Sequence, residues 1–461
     1  MTIKVKLAAI AKDESAYIPQ WIHHHLSFGF DEIEIYLNNT TDNSEAMLNA
    51  IAGAYAPGVI KFKNVDALLK RCLAEKVPFQ QQCYRELYSE ALQDSSFTHA
   101  IFLDMDELWT PKDFSTSIKD FIRNSPEFDA ISFQWAIDIP DQCRQVFSFP
   151  FTNVNTVQKN RHLKTLVRMT PRMKKLSIHN HIINNGVYLL PNKQRFGGSD
   201  KETIYKSLVP ISYFEENKLS LCDDAFIFHQ INRSPVEYLS SLLRGRGHMD
   251  DDRILKGNRN GYLADSKSGP HIDFKVNLNL LTKYYKSFRE FNSATEANKF
   301  LDDAQQFIID RFYSVVEHLR NDASLLIKYQ AQLKGVKIND LLASPIISGH
   351  ILLTIDKYYT RQVDSRFVIE GWAFDPLSTS KLAITVFNTI NCNINFEIEW
   401  FRRADVARVY PDSDFLSGFK LILLEFNPTS VDDIESKWIE LSFSGSSGVK
   451  KVKVKLSKTS R

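Results

Sequence analysis

The stretch His99-Ala-Ile-Phe-Leu-Asp-Met-Asp-Glu107 indicates both the fold and the chemistry of this chain. Residues 100–103 are an apolar run, which predicts a buried strand. Asp104 and Asp106 follow at the strand's C-terminal end, and Glu107 comes directly after them. Carboxylates are hard oxygen ligands for Mg²⁺ or Mn²⁺, and these ions keep open positions for substrate phosphates. Open α/β sheets bind their ligands at such strand ends, so a metal-assisted diphosphate site is expected here.

The composition is that of a multidomain globular protein. A chain of 461 residues exceeds one ordinary hydrophobic core, so two or three domains are expected. The formal net charge of +2 provides no overall field for nucleic acid, and no nucleic-acid partner is expected. The five cysteines are odd in number and include no Cys-x-x-Cys pair, which argues against a disulfide framework or a zinc site and favours a reducing cytosol.

The two ends of the chain bear on membrane association. The N-terminal residues alternate like a strand and do not resemble a signal peptide, and no stretch is long enough to predict a membrane span. Residues 449–455 alternate Lys with Val. This pattern predicts an edge strand guarded by lysines, with a polybasic membrane patch as the alternative. Peripheral membrane contact is therefore left open, and no oligomeric state is indicated.

Strands and helices alternate through the first part of the chain, which predicts a mostly parallel sheet. Strands are expected at residues 4–10, 32–37, 58–63, 100–103 and 129–135, with polar loops after them that gather on one edge. Residues 137–160 are expected to be irregular. Short strands are expected after them, at 164–168, 175–179 and 225–228. Ser234, Pro235 and Glu237 predict a capping box at a helix start. Residues 250–270 are expected to be too polar to pack.

The period of the pattern changes in the C-terminal third. Residues 294–342 show helical spacing, and short strands separated by turn residues follow from residue 351. These strands predict an all-β sandwich of about 110 residues. The expected domains are therefore residues 1–285, a helical linker at 286–345 and a β-sandwich at 346–461.

The opening segment resembles that of bacterial glycosyltransferases related to families 2 and 92. The resemblance begins with Lys12-Asp-Glu-Ser-Ala-Tyr-Ile-Pro-Gln-Trp21 and continues through His25, Gly29, Asn38 and Asp42. The Gln-rich Phe79-Gln-Gln-Gln-Cys-Tyr84 resembles the segment before the acid motif of that family, and Asp104-Met-Asp-Glu107 resembles the motif itself. Later matches keep the same order: Lys164, Arg168, His179, His229, Ser234, Glu237, Arg244 and Gly245.

This resemblance covers about residues 1–250 and implies a GT-A fold, a Rossmann-like sheet that binds a nucleotide sugar through Mn²⁺ or Mg²⁺. Two positions depart from the family pattern, since Asp13 replaces the usual Asn and Gln230 replaces a more common aromatic residue. Farther along, Ile369-Glu-Gly-Trp-Ala-Phe-Asp375 resembles a β-sandwich appended to some bacterial glycosyltransferases. The resemblance implies no particular role for that domain.

The expected metal ligands are Asp104, Asp106 and His229. Asp106 is expected to bind the ion directly, while Asp104 reaches the ribose or binds the ion through water. His229 is either a further ligand or a strand-end histidine satisfied by backbone. His179 and His181 are expected to lie two residues apart on one strand face, as ligand or acceptor-site residues or else as ordinary polar positions. Glu107 is a further candidate for acceptor or metal contact.

The expected nucleotide-sugar-binding residues lie at strand ends and on two polar segments. Asp13 and Glu14 follow the first strand, where uracil and ribose would sit, or else are helix-start acids favoured by the helix dipole. Arg244 and Arg246 would clamp the diphosphate when the polar loop closes, or else form a solvated basic surface. The remaining members are Asn38, Asp42, Gln82, Asp104 and Lys164. The expected catalytic base on the acceptor is Asp200.

Together these features predict a cytoplasmic, metal-dependent glycosyltransferase, with peripheral contact at the inner membrane left open. The expected donor is a UDP-hexose, and the expected acceptor is a bacterial surface glycan such as capsule or lipopolysaccharide. One alternative is a metal-dependent phosphoryl or nucleotidyl transferase, which also uses paired acids. The other is a non-catalytic glycan-binding protein in which the β-sandwich is the working part.

Overall fold

The structure is a computed structural model. It describes residues 2–139, 144, 146–196, 224–245, 254–262 and 271–338, and farther on 352–361, 366–374, 382–387, 395–403, 406, 417–424, 438–445 and 448–455. The chain divides into two compact units, Met1–Phe307 with Tyr329–Val336, and Ile308–Lys328 with Lys337–Arg461. The domain boundaries at residues 285 and 345 stay predictions.

The first unit opens with alternating strands and helices. In chain order these elements are β1 (Val5–Ala11), α1 (Ile18–Ser27), β2 (Glu32–Leu37), α2 (Ser44–Gly53), β3 (Ile60–Asn64), α3 (Asp66–Glu75), α4 (Phe79–Asp94), β4 (His99–Phe102), β5 (Glu107–Pro111) and α5 (Ile118–Arg123). The predicted alternation is therefore confirmed. The sequence pattern missed α3 and the strand that begins at Glu107.

Further elements continue to residue 333. They are β6 (Ala130–Asp138), β7 (Val154–Arg168), β8 (Met173–Lys175), β9 (Ile182–Ile183), β10 (Tyr188–Leu189), β11 (Ala225–His229), α6 (Pro235–Leu243), β12 (His271–Lys275), α7 (Leu278–Ala294), α8 (Asn298–Asn321), α9 (Ser324–Lys328) and α10 (Gln330–Leu333). The predicted capping box opens α6, because Ser234 accepts from the Glu237 backbone and Glu237 binds back to the Ser234 backbone. No helix of the described residues is long and apolar enough to cross a membrane.

Ten of these strands form one mixed, mostly parallel sheet. Its order is β3-β2-β1-β4-β7-β6-β11-β5, with β10 beside β6 and β12 beside β7. Strands β1 to β4 run parallel to one another, as do β6 and β11. The antiparallel members are β7, against β4, β6 and β12, and β5, against β11. The C-terminal ends of β1, β2 and β4 therefore meet at one edge, which is where the acid motif lies.

Helices cover both faces of this sheet. Along β1, Leu7 and Ala9 belong to the apolar cluster that contains Trp21 of α1. The intervening Ala8 belongs to the cluster that contains Tyr84 of α4. Alternate strand residues point to opposite faces, so these two clusters lie on opposite sides of the sheet. A parallel sheet buried on both faces explains why its strands read as continuous apolar runs.

Several boundaries differ from the sequence-based expectation. Residues 154–160 belong to the long strand β7 and are not irregular. Strand β8 ends at Lys175, so the predicted strand at 176–179 is wrong. The helical region begins at Leu278, sixteen residues before 294.

The polar segment after α6 was expected not to pack, and its described part does pack. Leu255 and Tyr262 are both fully buried. The Tyr262 hydroxyl donates to the Arg233 carbonyl at 3.0 Å, and the Tyr262 backbone N–H donates to Lys334 O at 2.8 Å. Two apolar anchors within a polar stretch are a weak periodic signal, which is why the pattern did not reveal them.

The second unit contains the predicted short strands. They are β13 (Leu352–Thr360), β14 (Phe367–Phe374), β15 (Ala383–Phe387), β16 (Phe396–Phe401), β17 (Gly418–Leu423), β18 (Trp438–Gly445) and β19 (Gly448–Lys455). They form two antiparallel sheets, β13-β14-β17-β16 and β15-β18-β19, which share one apolar core. Phe419 of one sheet contacts Phe443 of the other at 5.2 Å between ring centroids, so the sheets pack face to face as a β-sandwich. The Lys/Val strand β19 is the predicted edge strand of its described sheet.

Candidate functional site at the acid motif

The acid motif lies between β4 and β5 and is held by helix α1. The Trp21 indole N–H donates to the backbone oxygens of Asp104, at 3.1 Å, and of Glu107, at 2.9 Å. One turn later, the His25 ring contacts Trp21 at 4.6 Å and accepts a hydrogen bond from the Trp109 N–H of β5 at 3.3 Å. The Trp and His of the first helix therefore position the loop that carries the carboxylates.

Glu107 and Lys164 form a buried support beneath this loop. Lys164 Nζ lies 3.1 Å from both Glu107 Oε2 and Asp104 Oδ2, and its side chain is 1% exposed. Glu107 Oε2 also accepts from the Asp104 backbone N–H at 2.8 Å. Glu107 is fully buried, and this burial raises the pKa of Glu107 to about 7 against the opposing charge of Lys164. These contacts give both residues a positioning role beneath the loop, and contact of either with a ligand stays a prediction.

Asp104 presents a partly exposed carboxylate that is fixed from two sides. Lys164 holds Oδ2, and the Gln80 side-chain amide donates to Oδ1 at 3.3 Å. The Asp104 side chain is 38% exposed, so its remaining hydrogen-bonding capacity is accessible to a ligand. Gln80 is therefore the α4 residue that contacts the acid motif, whereas the Gln82 amide donates to Glu86 at 3.5 Å. Nucleotide-sugar binding by Gln82 stays a prediction.

Asp106 faces His229 across the loop. Asp106 Oδ2 lies 3.5 Å from His229 Nε2, and the next residue, Gln230, donates its N–H to Asp106 O at 2.8 Å. Strand pairing sets this approach, because His229 of β11 is directly opposite Glu107 of β5. Burial opposes ionisation of Asp106, but the contact with His229 and the charges of Arg233 and Arg259 outweigh it and hold the pKa of the Asp106 carboxyl below its usual range. The carboxylate is therefore charged at neutral pH.

This pair fits part of the coordination shell of a divalent cation. Ligand distances of about 2.1 Å place neighbouring octahedral ligand atoms about 3.0 Å apart, close to the observed 3.5 Å. The His229 Nδ1 atom is buried and has no hydrogen-bond partner within the described ranges. No cluster of three or more His, Cys, Asp or Glu side chains with metal-binding geometry occurs in that part of the chain. Two protein ligands match an ion whose other positions are taken by phosphate and water.

Arginines surround Asp106 in a small cleft. Its walls are Glu14, Asp106, Ile231, Asn232, Arg233, Glu237, Ser241, Arg244 and Arg259. The Arg233 guanidinium lies 3.5 Å from the centre of the Tyr17 ring and donates to Met105 O at 3.3 Å. Sequence reasoning missed Arg233, although its place just after the C-terminal end of β11 is the kind of position that carries function in such sheets. Guanidinium groups bind phosphate oxygens well, so these arginines suit a diphosphate ligand.

Arg244 lines this cleft and forms an ion pair with Glu14, and its role as a diphosphate clamp stays a prediction. Glu14 lies at the end of β1 and is buried, and its second oxygen has no partner among the described side chains. The ion pair joins the loop after β1 to the end of α6. A diphosphate that draws Arg244 away would leave Glu14 available for another donor, such as a ribose hydroxyl.

Asp13 and Asp42 brace the loops that follow β1 and β2. Asp13 accepts from the Thr41 backbone N–H at 2.7 Å, and Asp42 accepts from the Ser15 N–H at 2.8 Å. Burial raises the pKa of Asp42 against these hydrogen bonds. Asn38 is also buried, at 3% exposure. The structure thus gives the two aspartates a bracing role, and nucleotide contact by these residues stays a prediction.

The two candidate histidines of the 179–181 segment lie in different surroundings. His179 contacts Trp135 at 5.5 Å, and its Nδ1–H donates to Leu163 O at 3.0 Å. His181 is 1% exposed and packs against Phe102 at 5.9 Å. The expectation that they share one strand face is wrong, because residues 176–181 are not a strand. Only His179 approaches the candidate site.

His179 belongs to an aromatic cluster around Trp135. His162 stacks on the Trp135 ring at 4.5 Å, and His229 meets that ring at 4.3 Å. His162 was not predicted, and its single signal was its place in a polar part of the sheet strand β7. The cluster links the Asp106–His229 pair to the antiparallel half of the sheet. The predicted catalytic base Asp200 and the predicted clamp residue Arg246 lie outside the described residues.

Comparison with known proteins finds similarity only among solved structures. No family model matches the sequence, and no curated protein matches it. The solved structures that match include HddC from Yersinia pseudotuberculosis, which is 14% identical, with 41% of this chain and 89% of that chain covered. The TM-score is 0.23, so the overlap of the two folds is small and the functional argument depends on the site itself.

Proposed function

We propose that this protein is a metal-dependent glycosyltransferase of the GT-A fold. It would transfer a sugar from a nucleoside diphosphate donor, a UDP-hexose, to a bacterial surface glycan such as capsule or lipopolysaccharide. One observation carries the proposal: the Asp106–His229 pair, at 3.5 Å, lies at the edge of a mostly parallel sheet with Arg233 and Arg259 beside it. A charged carboxylate, an imidazole and two guanidinium groups are a suitable set for a metal-bound diphosphate.

The residues around Asp106 would have different roles in binding the donor. When bound, a divalent cation would stabilise the negative charge that develops on the departing diphosphate. Arg233 and Arg259 would bind phosphate oxygens, for which the planar guanidinium group is suited. Asp104, oriented by Lys164 and Gln80, offers an exposed oxygen to a donor hydroxyl. The acceptor base, expected at Asp200, stays a prediction.

The central test is Asp106→Asn, which keeps the shape of the side chain and removes its charge. We expect Mn²⁺-dependent release of UDP from a UDP-sugar panel to fall about 100-fold or more, because an anionic metal ligand is lost. Binding of Mn²⁺ in the presence of UDP, measured by calorimetry, should weaken in parallel. The matched control is Asp302→Asn, on an exposed part of α8, which should leave release, binding and the thermal transition unchanged.

The products separate this proposal from its alternatives. A glycosyltransferase releases UDP, whereas a nucleotidyl transferase gives pyrophosphate or UMP from the same donors. Glycan binding without turnover of any donor would indicate a non-catalytic binding protein. Full activity of Asp106→Asn, or of the unmodified protein in excess EDTA, would contradict the metal-dependent reaction.

A further inference from the structure

A second, larger cavity adjoins the candidate site. Its volume is about 240 Å³, and its walls include Gln230 and Arg233. Gln230 donates its backbone N–H to Asp106 O, and Arg233 also lines the small cleft around Asp106. Glu237 is a second wall residue common to both. A molecule in the larger cavity would therefore lie next to the proposed diphosphate position.

Aromatic rings supply much of the wall of this cavity. Four of its residues are Tyr17, Phe147, Phe149 and Phe288. Phe149 is 42% exposed and meets Phe288 nearly edge to face, at 6.0 Å. Phe147 adopts a positive φ of 56°, which is strained for a bulky residue. Such strained residues cluster at sites that hold ligands. Aromatic walls with a few fixed polar groups are the usual composition of small-molecule sites, and they suit the apolar C–H face of a sugar ring.

Asn292 of α7 supplies a polar atom without a protein partner. The residue is 5% exposed and lines the cavity. Its Oδ1 atom is buried and makes no hydrogen bond to the described residues. Buried polar atoms are nearly always satisfied, so this oxygen calls for a donor that the chain does not supply. A ligand hydroxyl group would fill that role.

The charges of the cavity favour an anionic ligand. Arg144, Arg233 and Arg289 line it together with a single acid, Glu237. Arg144 is paired with Asp138, and Glu237 is occupied by its capping box. Within the described ranges, Arg289 has no ion-pair partner. It is therefore the cation best placed to bind a carboxylate or phosphate of a ligand.

The size of the cavity limits what it holds. Pockets for drug-sized ligands measure about 300–1,000 Å³, and this cavity is smaller, at about 240 Å³. A whole nucleoside diphosphate is too large for it, whereas a single sugar ring with one charged substituent fits. The volume therefore favours a monosaccharide unit over the donor nucleotide.

We infer that this cavity is an acceptor subsite for an acidic sugar, with Arg289 binding its anionic group and Asn292 Oδ1 accepting from a hydroxyl. The inference rests on the proposed glycosyltransferase function and names the substrate class for the same site. It follows from the aromatic wall, the unpartnered amide oxygen, the unpaired arginine and the shared wall with the Asp106 cleft.

The test measures glycan binding directly, with the full chain and without UDP or metal. Calorimetry would compare an oligogalacturonate with a maltooligosaccharide of the same length. We expect the acidic oligosaccharide to bind and the neutral one to bind at least about tenfold more weakly, because a charged hydrogen bond is lost. Arg289→Gln should weaken binding of the oligogalacturonate about tenfold. The control Lys286→Gln removes an exposed cation from the same helix, one paired with Glu290, and should not change it.

The outcomes distinguish this inference from the proposed function. Equal binding of the two oligosaccharides, competition by UDP with Mn²⁺, or an unchanged affinity of Arg289→Gln would each overturn the acceptor subsite. Failure of the unmodified chain to bind UDP with Mn²⁺ would instead count against the proposed function, because glycan binding is measured without either. Arg289 is exposed, so the thermal transition of Arg289→Gln should be unchanged. An unchanged transition would show that a loss of binding does not come from a loss of folding.

Discussion

His25 joins the first helix to the strand after the acid motif, and His25→Asn tests how firmly that motif is held. Its Nδ1–H donates to Trp21 O at 2.8 Å, and its Nε2 accepts from the Trp109 N–H at 3.3 Å. Both contacts require the neutral ring, since a proton on Nε2 would face another N–H group. Asn keeps a donor near Trp21 but supplies neither the ring nor the acceptor for Trp109.

The expected loss of unfolding free energy follows from the burial of His25 and from proton linkage. At pH 7 we expect His25→Asn to lower the free energy of unfolding by about 2–3 kcal/mol, for a buried N–H left unpaired and a cavity left behind. Burial lowers the pKa of His25 from 6.5 to about 3. Because the unfolded chain alone takes up this proton below pH 6.5, the contribution of His25 is complete above 6.5 and declines as the pH falls towards 3. At about 1.4 kcal/mol per pH unit, it declines by about 2 kcal/mol at pH 5.

The difference in unfolding free energy between the unmodified protein and His25→Asn should therefore narrow by about 2 kcal/mol between pH 7 and pH 5, since Asn has no proton to gain. Urea titrations read by hydrogen exchange of a β5 peptide measure this difference within the first unit. Other buried histidines titrate in both proteins and cancel in the comparison. Parallel stability curves across this pH range would refute the assignment of a neutral, buried His25.

Two further substitutions test contacts that position the site. Gln80→Ala should raise the KM for the nucleotide sugar about fivefold, while Gln82→Ala changes it less than about twofold, because only the former amide holds the acid motif. Initial rates check this, and equal effects would contradict the placement. Gly261→Ala should cost about 2 kcal/mol of unfolding free energy, since its Cβ would lie 2.8 Å from Lys334 O. The control is Gly53→Ala, because a Cβ at Gly53 would meet no atom within 4 Å. An equal loss of unfolding free energy in both variants, measured by urea unfolding, would refute the clash at Gly261.

The alternation of apolar and polar segments predicted the sheet well, because its strands are buried on both faces and flanked by helices. The strand before Asp104, the strand ending at His229 and the capping box at Ser234 all lie where the pattern indicated. The strand that begins at Glu107 was missed because an acid at a strand start reads as loop. The burial of the Glu107 carboxylate is explained by its ion pair with Lys164, which is 57 residues away in the chain.

The parts of the site that were missed depend on distant contacts. Whether Gln80 or Gln82 reaches the acid motif depends on the rotation of α4 against the sheet, which a run of three glutamines leaves undefined. Arg233 and Asn292 lie 59 residues apart in the chain and come together around one cavity. No local period brings such residues together, so only the folded chain shows that an unpartnered amide oxygen and a guanidinium group line the same cavity.

The acid motif itself is best understood as three acids in three different environments. Glu107 is fully buried, and burial raises its pKa to about 7; its role is to fix the Asp104 backbone. Asp104 is oriented by Lys164 and Gln80 and stays partly exposed. Asp106 is kept charged by its basic neighbours and faces His229. The strand spacing alone does not distinguish these roles, because they come from what lies opposite each carboxylate. Of the three, Asp106 is therefore the carboxylate best placed to bind the divalent cation that we propose.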